Sequence, residues 1–266
     1  MSLPKIRELF IPDPGYVICD VDLDRADLQV VVWEADDQIL KNRLRAAVDL
    51  HISNAIELFD QPPVPDEELI DTHPAYQTHA KRYAKERKFV KAFIHGTNYL
   101  GSARTMAQTC RISTAQSRHF QERWFTLHPG ISSWHDRIAD DLAQTRTIYN
   151  KFGYRRVYFD RPDSILSEAV AWIPQSTVGI VTNKAWANLS SAFSSIIQVL
   201  LQGHDSLVFQ LPSSLLLSLL PAIHKAFLIP IPYPDPLTIP VGIKVSGKSW
   251  GEVRAIPWDF DGRVDW

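Results

Sequence analysis

Tyr16-Val17-Ile18-Cys19-Asp20-Val21-Asp22-Leu23-Asp24 is the stretch on which the reading of the fold depends. It follows a turn signal at Pro14-Gly15, its first four residues are apolar and β-prone, and the stretch from Asp20 to Asp24 is acidic. That pattern predicts a buried strand carrying carboxylates at its end. Far along the chain, Leu200-Leu201 and Leu207-Val208-Phe209 flank Gly203-His204-Asp205-Ser206. The span from Ile196 to Gln210 reads either as strand, turn and strand around those four residues or as a helix entering a strand. If neighbouring strands bring Asp22 and Asp205 together, the pair can hold two hard cations about 3.5–4 Å apart. Such a pair activates an attacking hydroxyl and stabilises a leaving oxygen in phosphoryl transfer. Taken singly, an Asp in a turn between strands is more often a turn residue accepting backbone hydrogen bonds.

Between these acidic points the chain reads as largely helical. Helices are predicted from Ala26 through Trp33 towards Leu40, from His51 to Phe59, from Tyr76 to about Asn98, and from Arg118 to Leu142 with an interruption at His128-Pro129-Gly130. Residues 60 to 75 are rich in Pro, Asp and Glu and read as a connecting loop. Thr147 to Phe159 alternates like a hairpin around Gly153, and Glu168 to Leu189 reads as an amphipathic helix. Pro212 to Phe227 is helical with Pro212 in its first turn, and Leu237 to Val245 adds a strand. The expected class is therefore α+β.

A local basic cluster is the third chemical signal: Lys81, Arg82, Lys85, Arg87, Lys88, Lys91 and Arg104 fall in one region of a chain whose net charge is −2. Arg87, Lys91, His95 and Tyr99 recur every fourth residue, which on a helix of about 3.6 residues per turn makes one slowly winding stripe. Phe89, Val90, Phe93 and Ile94 take the other side. Lys and Arg alone would be an ordinary solvated face. Followed by two flat rings, they form a stripe suited to a nucleoside triphosphate, with cations for phosphate and rings for a base.

The bulk numbers restrict the class without naming it. A chain of 266 residues with 45% hydrophobic and 22% charged residues can bury one large core or two modest ones. Cys19 and Cys110 stand far apart with no CxxC spacing, which argues against a thiolate zinc site or a disulfide framework and fits a reducing, cytoplasmic setting. Met1 to Lys5 has no apolar signal region, and no run approaches the roughly 20 apolar residues of a membrane span. The P-loop pattern is missing, so a P-loop ATPase or helicase is not supported.

Four ordered segments then resemble the family A DNA polymerases, the group that includes bacterial DNA polymerase I and phage relatives. Arg7 to Asp22, continued by Leu23-Asp24-Arg25-Ala26-Asp27-Leu28, looks like motif A. Arg87 to Tyr99 resembles motif B, Gly203-His204-Asp205-Ser206 resembles motif C, and Glu168 to Thr177 resembles the helix whose Gln contacts the primer-template minor groove. Asp49-Leu50-His51-Ile52-Ser53 is similar to a segment at the base of the family's fingers, with a structural role.

The resemblance implies a polymerase palm with an antiparallel sheet plus helical fingers, thumb and exonuclease domain absent. Residues 1–48 and 146–266 would be palm, and 49–145 fingers. It implies DNA-directed DNA polymerase activity in a bacterial or phage-infected cell: transfer of a dNTP to a primer 3′-hydroxyl on template DNA with two Mg²⁺ ions, Mn²⁺ substituting. Asp22, Asp205 and the Leu23 carbonyl would be metal ligands. Arg87 and Lys91 would grip the triphosphate, with Lys91 as general acid on the pyrophosphate. His95 and Tyr99 would form the nucleotide platform, Asp27 would face the sugar, and Gln175 and His204 would touch DNA. A second polypeptide would supply thumb or exonuclease.

Several positions depart from the family pattern. Asp27 is one methylene shorter than the usual Glu, Ser206 replaces an acidic residue, His95 replaces Phe or Tyr, and Leu100 stands where Gly usually follows the Tyr. The absent thumb and the altered Ser206 and Leu100 motivate the rival expectation of a catalytically weak, DNA-binding accessory subunit. A metal-dependent nuclease or phosphatase would explain the two Asp residues but not the Arg87 to Tyr99 stripe.

Overall fold

A computed structural model describes residues 5–260 and 262, apart from the side chains of Pro162 and Asp163. Met1 to Pro4, part of the N-terminal reading above, lie outside the described residues. In chain order the strands are β1 (Tyr16–Leu23), β2 (Thr147–Tyr149), β3 (Arg155–Val157), β4 (Gln198–Gln202), β5 (Ser206–Pro212), β6 (Val241–Ser246) and β7 (Arg254–Ile256). The helices are α1 (Ala26–Ala35), α2 (Gln38–Arg45), α3 (Leu50–Leu58), α4 (Tyr76–Arg82), α5 (Ala84–Asn98), α6 (Ala103–Cys110), α7 (Thr114–Leu127), α8 (Pro129–Thr145), α9 (Pro162–Phe193) and α10 (Leu216–Phe227). The class is α+β, as expected from sequence.

The chain divides into two compact units. One comprises residues 1–26 and 175–266, the other 27–174. The sequence reading set its boundaries after residues 48 and 145 instead.

The first unit is built on an antiparallel sheet in the order β4-β5-β1-β6-β7. β1 is central because it is apolar on both faces: Val17, Ile18, Cys19 and Val21 are at most 1% exposed. Leu207, Phe209, Leu211, Ile243 and Val245 extend this core, and Leu216, Leu220, Ile223 and Phe227 of α10 add to it. Asn188 of α9 donates to the Ala226 carbonyl at 3.1 Å, tying the two helices together. Burial pushes the Cys19 thiol far above its ordinary pKa, so it is an inert core residue.

The second unit is helical, with the β2–β3 hairpin turning at Gly153 (φ 81°). Four of its helices start at polar side-chain caps. Asp37 caps α2 through the Leu40 N–H, Asp49 caps α3, Ser102 caps α6, and Ser113 with Gln116 forms a capping box on α7. Val48, Ile52, Ile56, Leu69 and Tyr83 make one buried cluster. Phe59, Phe89, Phe93 and Phe120 pack edge-on and stacked at centroid distances of 5.0 to 5.9 Å. Trp124 is fully buried and donates its indole N–H to Asn98 at 2.8 Å.

Three predicted elements are corrected. The helix expected from Ala26 to Leu40 breaks at Asp36, whose φ of 52° lies outside helical geometry, and α2 restarts behind the Asp37 cap. The region from Tyr76 to Asn98 is two helices divided at Tyr83. Pro212 is the last residue of β5, so α10 begins four residues later at Leu216.

Candidate functional site

The acidic site is made by strand pairing. β1 runs antiparallel to β5 with Asp22 opposite Ser206, and the Leu23 N–H donates to the Asp205 carbonyl at 2.9 Å. Between β4 and β5 the chain reverses at Gly203 to Ser206, closed by the Gly203 N–H on the Ser206 carbonyl at 2.8 Å. The strand–turn–strand alternative is thus the one realised. A Cβ on Gly203 would meet the Ser206 hydroxyl, which would have to rotate away to admit it. Thr182 of α9, wholly buried, donates to the His204 carbonyl at 3.1 Å and anchors the turn, while the His204 side chain is exposed. Asp22, Leu23, His204 and Asp205 are therefore brought to one end of the sheet, with both Asp residues half-buried. Gln175 is exposed on α9.

Sequence reasoning missed Lys244. Its ammonium bridges both Asp22 carboxylate oxygens, at 3.0 and 3.1 Å. Gly242 stands directly across from Asp22 in β6, and a Cβ there would come 3.2 Å from the Asp22 Oδ1. The signal was present in sequence: Lys244 is a lone cation in an otherwise uncharged predicted strand.

These residues fit a hard cation. Asp22 already holds a positive charge across both oxygens, its side chain is 38% exposed, and glycine leaves space beside it. Among the described residues no group of three or more His, Cys, Asp or Glu could hold a metal ion. A cation held by these two carboxylates would need outside oxygens, which suits Mg²⁺, an ion commonly held by one or two carboxylates together with phosphates and water.

In the second unit, α5 carries Arg87, Lys91 and His95, and Tyr99 follows its last residue. Val90, Phe93 and Ile94 are buried, Phe89 is half-buried, and Lys91 and His95 are exposed. The His95 and Tyr99 rings meet at 4.6 Å between centroids. Burial first, then the negative charge of the nearby Asp27, push the Tyr99 phenol far above its ordinary pKa, so it stays neutral. Asp27, Tyr99 and His95 are thereby one contiguous group. Leu100 ends α5 at φ 58°, with its N–H on the Thr97 carbonyl at 3.0 Å and the Gly101 N–H on the Gly96 carbonyl at 2.8 Å. This closing turn normally carries glycine at the residue-100 position, and here leucine adopts the same left-handed backbone.

Arg87 has a defined partner. Its Nε donates to Asp49 Oδ2 at 2.9 Å, and the Tyr76 hydroxyl donates to the same oxygen at 3.0 Å. Burial works to raise the Asp49 carboxyl, but the Arg87 charge, its hydrogen bond and that of Tyr76 outweigh it and hold the group below the ordinary range. Fixing Arg87 by Nε leaves the two terminal nitrogens of the guanidinium for an anion, the geometry suited to phosphate.

Comparison with known proteins shows the family. The sequence profile of DNA polymerase family A matches residues 2–252. The chain is 27% identical over 261 residues to DNA polymerase I of Treponema pallidum, covering 93% of this chain and 24% of that protein. It is 26% identical over 209 residues to the DNA polymerase of Mycobacterium phage D29, covering 78% and 31% respectively. The fold resembles that of the POL domain of Pol1 from M. smegmatis, solved in complex with DNA primer-template and dNTP, with a TM-score of 0.75, 22% identity, and 94% of this chain and 43% of that one covered. The chain thus spans about a quarter to a third of the curated relatives it matches, and across nearly all of its own length it belongs to DNA polymerase family A.

Proposed function

We propose that this chain carries out template-directed transfer of a deoxynucleotide to a primer 3′-hydroxyl, the unit holding β1 and β5 acting as palm and the helical unit as fingers. The observation that carries the reading is the Leu23–Asp205 backbone hydrogen bond at 2.9 Å, which makes neighbours of two acidic segments that lie far apart in sequence.

In this reading Asp22, Asp205 and the Leu23 carbonyl would hold two Mg²⁺ ions, with Mn²⁺ as a substitute. When bound, the ions lower the pKa of the attacking hydroxyl and neutralise charge on the leaving pyrophosphate. Arg87, oriented by Asp49, and Lys91 grip the triphosphate. Lys91 is exposed, sits one helical turn from Arg87, and gives a proton to the departing pyrophosphate. The His95 and Tyr99 rings receive the base, and Asp27, whose charge lies near Tyr99, faces the sugar. His204 and Gln175, both exposed, contact primer and template. The two sets of residues lie in different units, and the family match that spans both supports their joint action. Further polymerase parts, on this polypeptide or a second one, would supply the phosphate contacts that hold duplex DNA.

The test is primer extension with Mg²⁺ by the wild-type chain and by Asp205→Ala. Loss of a ligand should raise the barrier by at least ~4 kcal/mol, about a thousandfold in rate. Extension by Asp205→Ala at the wild-type rate would refute the assignment. Running dNTP beside rNTP reads the effect of the shorter Asp27.

A further inference from the structure

The pairing register determines which carboxylate Lys244 meets. Directly opposite Lys244 in β1 is Asp20, not Asp22. Asp20 is 6% exposed, and its Oδ2 already accepts the Trp250 indole N–H at 2.8 Å. The ammonium instead reaches diagonally along the same face of the sheet to Asp22. Opposite Asp22 stands Gly242, which has no side chain to obstruct that reach. Lys244 then sits astride both Asp22 oxygens rather than against one.

We propose that Lys244 is an internal counter-cation that caps the Asp22 carboxylate and is displaced when a divalent cation binds, so that it sets the concentration of metal the site requires. This inference rests on the proposed role of Asp22 as a metal ligand. An ammonium centred on both oxygens occupies the approach a chelated cation would take. A cation accepting only one oxygen would lie within a few ångströms of a like charge. The cap is removable because the Lys244 side chain is 39% exposed and that of Asp22 38%. An exposed pair of this kind is weak enough to exchange for a divalent ion, whereas a buried one would hold its lysine permanently. Lys244 is thus a positioning residue that acts through Asp22.

The test measures free Mn²⁺ by electron paramagnetic resonance during titration of the full chain, with no DNA or nucleotide present. Wild type is compared with Lys244→Met, Lys244→Gln, Asp22→Asn and the Lys244→Met/Asp22→Asn double variant, with circular dichroism verifying the fold. Both Lys244 variants should bind Mn²⁺ about fivefold more tightly than wild type, the factor matching the upper end of an exposed ion pair. The double variant should lose that gain. Unchanged or weaker binding in both Lys244 variants, with binding still lost in the double variant, would overturn the cap while leaving Asp22 as a ligand. Mn²⁺ binding unaffected by Asp22→Asn in either background would remove the ligand assignment and the cap together.

Discussion

Asp49 ties a helix start to the arginine expected to grip phosphate, and its removal should be felt in both. Oδ1 accepts the backbone N–H groups of His51 at 3.0 Å and Ile52 at 3.2 Å, and the loss of such a cap costs about 1 kcal/mol. Oδ2 accepts the Tyr76 hydroxyl, a partly buried bond to a charged group worth about 1–1.5 kcal/mol. The Arg87 side chain is 43% exposed, so its screened ion pair adds only about 0.5 kcal/mol. Asp49→Ala should therefore destabilise the helical unit by about 2–3 kcal/mol. Asp49→Asn keeps the cap and an acceptor for Tyr76, and should cost about 1 kcal/mol or less. Urea denaturation followed by tryptophan fluorescence reads this difference through the buried Trp124 and Trp134. Because the Asp49 carboxyl lies below its ordinary pKa in the folded protein, its ionic contribution is complete above the unfolded value of about 3.9 and disappears as pH falls through the folded value. The gap between wild type and Asp49→Asn should accordingly close in acid. Equal costs for the Ala and Asn variants, or a gap that stays constant down to about pH 2, would refute the reasoning.

Two further outcomes follow from buried polar contacts in the same unit. Trp124→Phe removes the 2.8 Å bond to Asn98 and part of a filled core site, and should lower stability by about 3 kcal/mol in the same urea assay. Asp37 accepts from His128 at 2.7 Å; burial raises its carboxyl, but the His128 and Leu40 hydrogen bonds outweigh that and hold it low. Asp37→Asn should cost about 1–2 kcal/mol at pH 7, with the difference from wild type shrinking below about pH 4, measured by thermal melting across pH.

Local chemistry made much of this protein legible in sequence. An apolar, β-prone run and turn residues located β1 and the Gly203–Ser206 reversal, and the spacing of Lys91 and His95 against Val90, Phe93 and Ile94 separated the exposed face of α5 from its buried one. Features set by a single backbone angle were not legible. The helix expected from Ala26 to Leu40 runs through Asp36, whose φ is positive, and at residue 100 leucine occupies a left-handed position that composition alone would assign to glycine. Contacts set by register were hidden as well. Lys244 reaches Asp22 only because β6 pairs with β1 in one alignment, and Arg87 meets Asp49 only once α3 and α5 are folded together.

The central claim is that Asp22 and Asp205 share cations with a nucleotide. Crystals of the chain soaked with Mn²⁺ and a non-hydrolysable dNTP, measured at the manganese edge, test it directly. Two anomalous peaks about 3.5–4 Å apart, each in reach of both carboxylates and of the triphosphate, are the expected result. Manganese bound elsewhere, with Asp22 and Asp205 contacting no ion, would contradict it.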